Sequence, residues 1–144
     1  FKGETSYELV GFSGGAALVM QLAALRDDVV NIRTVAGNLN PHATNAYHRV
    51  DPMPATFDIW KIVHMSSKRL EKLANIPQLH IVGGKDRIIP ARLTYKVLQA
   101  YPNTAFNKEC TRVKVLPDVT HLQGWGPYWP NLLEKPLICK ENIL

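Results

Sequence analysis

Three residues able to do covalent chemistry together are spread along the chain: Ser13, Asp86 and His121. A serine hydroxyl is a weak nucleophile until a base takes its proton, and a histidine base works best when an acid orients its ring. Ser13 lies in Gly11-Phe12-Ser13-Gly14-Gly15, a G-x-S-x-G pattern. That pattern suits a sharp turn from a strand into a helix, with the serine in strained backbone angles and its oxygen standing clear. Glycines at 11 and 15 are expected to remove collisions at the turn. The Gly14 N–H would then sit at a helix N-terminus, where it can donate to an oxyanion on an attacked carbonyl. Asp86 follows Gly83-Gly84-Lys85, and His121 closes Asp118-Val119-Thr120-His121. The order Ser, Asp, His is the order such a turn predicts. Asp118 is the rival acid, but it shares a loop with the histidine, whereas Asp86 comes from an independent position. The chemistry is acyl transfer from an ester-like substrate, with activity rising with pH as the histidine base loses its proton.

Those residues need strands ending on one edge of a sheet. Residues 7–12 read as a strand running straight into Ser13 and a small-residue helix over 16–25. A second strand covers 31–36 and closes at Gly37-Asn38. Residues 38–65 read as an irregular, short, lid-like connection with little helix, because Pro41, Pro52 and Pro54 forbid a long one. A helix over 66–75 leads to a third strand over 78–82, which delivers Asp86. Pro90 opens a helix over 91–101. A fourth strand over 112–116 alternates polar and apolar residues, as a strand near a sheet edge does, and delivers His121. A last short helix lies between Pro127 and Pro136. Strands alternating with helices imply an α/β fold, a parallel sheet of about four strands with flanking helices.

In VGFSGGAAL, LHIVGGKDRIIP and DVTHLQGW the chain resembles the C-terminal half of an α/β-hydrolase, over nearly its whole length. These segments correspond to that family's elbow, acid loop and histidine loop. The resemblance implies Ser13 as nucleophile, Asp86 as acid, His121 as base and the Gly14 N–H as one oxyanion donor. It also implies earlier strands and a second oxyanion donor ahead of the elbow. Residues 1–144 are therefore expected to be one partial domain, with its N-terminal part in a longer polypeptide that begins before Phe1. The position that carries the acid in some relatives holds Asn38, which has no charge to offer.

The composition adds exclusions. Of the 144 residues, 46% are hydrophobic and 20% charged, with 17 Lys+Arg against 12 Asp+Glu for a net +5. The basic residues are scattered, and Lys68-Arg69 with Lys72 read as a solvated helix face, which points away from nucleic acid. No apolar run approaches the length of a membrane span. His42, His48, His64 and His80 show no metal-ligand spacing, and no cofactor is implied. His80, inside a strand, reads as structural, while His42 and His48 are candidates to touch substrate. Trp125 and Phe12 are the candidate substrate-binding residues. Trp125's rival reading is plain packing, and Phe12 reads more readily as core.

Cys110 precedes the fourth strand and Cys139 follows the last helix, so both fall at the sheet edge away from Ser13. They are close enough in that scheme to pair or to remain two thiols. A disulfide would imply an oxidising compartment such as a periplasm, and free thiols the cytoplasm. The expected activity is hydrolysis of a small carboxylic ester or thioester. The rivals are acyl transfer to another acceptor through the same residues and a non-catalytic binding protein on the same fold.

Overall fold

The apolar runs form strands that all start from one end of the sheet, because a helix or long connection carries the chain back each time. A computed structural model describes residues 5–52, 65–102 and 108–141. In chain order the elements are β1 (Tyr7–Phe12), α1 (Gly14–Leu25), β2 (Val29–Val35), α2 (Pro41–His48), α3 (Ser67–Ala74), β3 (Gln78–Gly83) and α4 (Ala91–Leu98). They continue with β4 (Lys108–Glu109), β5 (Thr111–Leu116), α5 (Trp129–Glu134) and β6 (Lys140–Glu141). The main sheet has four strands in the order β1-β2-β3-β5. Each neighbouring pair is parallel. β5 lies at one edge, as its alternation implies. β1 forms the other edge among the described residues, with Val10 and Phe12 exposed.

Both faces of the sheet are covered. On one, α1 presents Ala16, Met20 and Ala23 to Ile32, with Leu73 and Val97 in the same cluster. The small alanines let α1 lie close against β1 and β2. On the other face Leu132 of α5 packs with Val35, Ile81, Leu116 and Val119. Arg33 of β2 is buried beneath α5. Its Nε donates to the Leu132 carbonyl at 3.1 Å, and Nη2 donates to the Lys135 carbonyl. A cation placed there satisfies carbonyls that the end of α5 leaves open. Its carboxylate partner is Glu8 at 3.6 Å.

Beneath α1 and α3 runs a closed polar chain. Thr34 Oγ1 donates to His80 Nδ1 at 2.7 Å, and His80 Nε2 donates to Gln78 Oε1 at 2.9 Å. The Tyr101 hydroxyl donates to the same oxygen at 2.8 Å. Gln78 Nε2 donates to the carbonyls of Leu73 and Ile76. His80 is fully buried and bonded on both ring nitrogens, which is the structural role expected of it. Burial lowers its pKa to about 4, because the charged ring would lose its water without gaining an acid.

Three expectations need correction. Residues 41–48 are helical, because Pro41 occupies the first helical position, where its missing N–H costs nothing. Asn40 caps that helix by accepting from the Ala43 N–H at 3.2 Å. Residues 53–64, including His64, lie outside the described residues. The helix after Pro90 ends at Leu98, and Tyr101 lies beyond it. The third concerns β4 and β6, which the sequence reading lacked and which form a small antiparallel sheet. Between them Cys110 and Cys139 are joined as a disulfide, with Cα atoms 4.1 Å apart. Among the described residues no helix is long and apolar enough to cross a membrane.

Candidate active site

β1 ends at Phe12 and α1 begins at Gly14, so the single residue between them makes the whole turn. That residue is Ser13, with φ 49° and ψ −118°. A non-glycine residue in such angles stores about 1–3 kcal/mol of strain. A serine at this N-terminal position ordinarily accepts a hydrogen bond from the first turn of its helix. Ser13 makes no such cap. Its Oγ instead lies 3.0 Å from His121 Nε2. Gly11 is required by close approach, since a Cβ there would lie 2.6 Å from the Gly15 carbonyl oxygen and 2.7 Å from Ala16 Cα. Gly15 is different: a Cβ added there meets nothing within 4 Å. The expectation of a collision at position 15 is therefore not met among the described residues.

His121 Nδ1 donates to Asp86 Oδ2 at 2.9 Å. A carboxylate only accepts, so this bond puts the ring proton on Nδ1 and leaves Nε2 as the acceptor facing Ser13. The other oxygen of Asp86 accepts from the backbone N–H groups of Ile88 and Ile89 at 2.9 and 2.8 Å. Asp86 and His121 are both buried. Asp118 is exposed and pairs with Lys85 at 3.1 Å, so the two carboxylates are separated as Asp86 at the ring and Asp118 at the surface.

The acid and histidine loops touch through glycines. A Cβ on Gly83 would lie 2.5 Å from the Val119 carbonyl oxygen, and one on Gly84 2.8 Å from Pro117. Across that contact the Gly84 N–H donates to the Leu116 carbonyl at 2.7 Å and the Lys85 N–H to Val119 at 2.9 Å. The Gly14 N–H opens α1, where helix geometry offers it no acceptor of its own.

Phe12 is not core. It is 45% exposed, and its ring centroid lies 5.5 Å from that of His121. Trp125 is half-buried, packed on the α5 side of the core, with its indole N–H donating to the His121 carbonyl at 3.1 Å. His48 Nε2 lies 2.7 Å from the Ile88 carbonyl oxygen and ties α2 to the acid loop. Asn38 accepts from the Thr44 hydroxyl at 2.8 Å. A cleft of about 680 Å³ opens beside Asp86 and His121, bounded by Arg87, Ile88, Leu122 and Gln123. Among the described residues no group of three or more histidines, cysteines or carboxylates is placed to hold a metal ion.

A family model described as Serine hydrolase (FSH1) matches residues 3–112. The chain belongs to this family. The match spans Ser13 and Asp86 and stops short of His121, which the hydrogen bonds above join to them. This serine hydrolase family member is also similar in fold to solved structures. One is the esterase domain of a Rhodothermus marinus protein, at TM-score 0.55 and 16% identity, covering 80% of this chain and 52% of that one. A second is Zea mays acyl-protein thioesterase 2, at TM-score 0.52 and 14% identity, covering 83% and 50%. A third is a Thermus thermophilus protein, at TM-score 0.57 and 20% identity, covering 90% and 55%. At such identities the likeness is one of fold, that of an α/β-hydrolase. The chain spans about half the length of these structures. No curated protein matches it.

The sequence reading missed the bond from Trp125 to His121 and that from His48 to Ile88. Both depend on loop positions that no local pattern records. The turn that closes on Asp86 Oδ1 was visible in principle, because an aspartate commonly accepts from N–H groups two and three residues on.

Proposed function

We propose that this chain carries the Ser13–His121–Asp86 machinery of a hydrolase acting on a carboxylic ester or thioester. The observation that carries the reading is the bond Ser13 makes. Its hydroxyl leaves the helix cap it would normally fill and faces a histidine whose other nitrogen is held by a buried carboxylate. In the proposed sequence, His121 Nε2 takes the Ser13 proton as Oγ attacks the carbonyl carbon. The Gly14 N–H donates to the oxyanion that forms. His121 then passes the proton to the departing alcohol or thiol, leaving an acyl-Ser13 ester. Water, deprotonated by His121, releases the acid and restores Ser13. Asp86 holds the ring's tautomer and steadies its positive charge.

Phe12, exposed against the His121 ring, is the proposed contact for the acyl half. Trp125 is proposed to hold the histidine loop, in place of the substrate contact expected of it. The maize neighbour's description as a thioesterase supports keeping thioesters in the substrate class. The joined cysteines support an oxidising compartment.

The test is labelling with a fluorophosphonate, read by intact mass, with Ser13→Ala alongside. Stoichiometric addition that vanishes in the variant is expected, in the chain or in the full-length polypeptide. A well-folded full-length protein that stays unlabelled would sink the reading.

A further inference from the structure

We propose that the departing half of the substrate carries an anionic group, a carboxylate or a phosphate, and that Arg87 receives it. This rests on the roles assigned above. The cleft beside the site is bounded by His121 and by neither Ser13 nor Gly14. A group that receives its proton from His121 must sit within hydrogen-bond reach of that ring. The cleft on the His121 side is therefore where the alcohol or thiol half lies, and the acyl half lies toward Gly14 and Phe12.

The charged residues lining this cleft differ in how far they are engaged. Asp86 is spent, with one oxygen on His121 and the other on the Ile88 and Ile89 N–H groups. Lys85 is answered by Asp118 at 3.1 Å. Arg87 is exposed, lines the cleft and has no carboxylate partner among the described residues. The Arg87 guanidinium is therefore open to a partner beside the departing group. A guanidinium offers paired N–H donors that match the two oxygens of a carboxylate or phosphate. Ile88 and Leu122, 47% and 71% exposed on the cleft's two sides, supply apolar surface for the carbon frame between that anion and the ester.

The chemical step is unchanged and balances. The Ser13 Oγ–carbon bond forms, the carbon–oxygen or carbon–sulfur bond to the departing half breaks, and the Ser13 proton leaves on that half through His121. The anion is a spectator that lowers KM, and salt should weaken its attraction.

The experiment compares 4-acetoxybenzoate with its methyl ester on the full-length protein, in wild type, Arg87→Gln and Arg87→Lys. The readout is the ratio of kcat/KM for the charged over the neutral substrate, in which intrinsic reactivity and any general loss of activity cancel between proteins. The ratio is expected to fall roughly three- to tenfold in Arg87→Gln, mainly through KM, and less in Arg87→Lys. It should also fall in wild type as salt is added. A parallel arm with 4-acetoxyphenyl phosphate tells which anion depends more on Arg87. An identical ratio in wild type and Arg87→Gln, for both anions, would overturn the proposal while Ser13-dependent turnover of the neutral ester keeps the hydrolase reading. Absence of any Ser13-dependent turnover by a folded protein would instead remove that reading, and this one with it.

Discussion

At the scale of single residues, each member of the site gives up an ordinary role. Ser13 forgoes its helix cap and accepts strained angles, and Asp86 divides its two oxygens between a ring and a turn. That division makes Asp86→Asn informative. The amide oxygen can still accept from the Ile88 and Ile89 N–H groups, so the turn survives. The amide nitrogen then faces His121 Nδ1 and forces the ring proton to Nε2, where it opposes Ser13. A folded variant with kcat reduced on the order of a thousandfold or more is expected, by steady-state hydrolysis of a neutral ester. Near wild-type turnover would show that another group orients the ring. The glycines separate in the same way. Gly11→Ala puts a carbon 2.6 Å from a backbone oxygen, so the turn must shift. Loss of more than about 2 kcal/mol and of fluorophosphonate labelling is expected. Gly15→Ala enters open space at the start of α1, and thermal unfolding should show it neutral or up to about 1 kcal/mol more stable. If the two substitutions cost the same, the close contact at Gly11 is not what selects glycine there.

At the scale of elements, strands read well because their patterns are set by burial. β2 and β3, buried along nearly their whole length, keep apolar residues around the buried Asn31, Arg33, Thr34, Gln78 and His80, and β5 at the edge alternates. Asp86 and His121 were legible for a related reason: parallel strands end on one edge, and each of these residues follows a strand closely. Pro41 was misread because a proline that breaks a helix interior also begins a helix well. The two-residue strands β4 and β6 were invisible, since their pairing depends on chain ends that only the folded topology brings together. His80 shows what a buried strand residue costs. Its pKa falls from 6.5 to about 4, so the folded state favours the neutral ring and the unfolded chain binds the proton first. That stability is fully present above about pH 6.5 and drains away as pH falls toward 4. Denaturant midpoints should reveal a loss of about 2–3 kcal/mol between pH 7.5 and 4.5. In His80→Gln the protein should start less stable but lose much less over that interval. An unchanged acid slope in the variant would move the cause to another group.

At the scale of the whole molecule, one covalent link encloses half of the site. Cys110 and Cys139 are 29 residues apart, and the loop they close contains β5, His121 and α5. The approach of the two cysteines was legible, because a strand leaving and a helix returning put both at the edge away from Ser13. Their union was left open, since position alone does not distinguish a bond from two thiols. Three further contacts hold the same stretch: Arg33 on the carbonyls of Leu132 and Lys135, Leu132 in the core, and Trp125 on the His121 carbonyl. The link is thus expected to act on the unfolded chain more than on the geometry of the site. Closing a loop of this length removes unfolded-state freedom equivalent to about 3–4 kcal/mol. Replacing both cysteines by serine, or reducing the native protein, should lower Tm by roughly 10 °C. Fluorophosphonate labelling at a temperature well below that transition should proceed at the native rate, because the non-covalent contacts still place His121. A fall in labelling rate with Tm unchanged would reverse the assignment, making the link a support of the site and not of the fold.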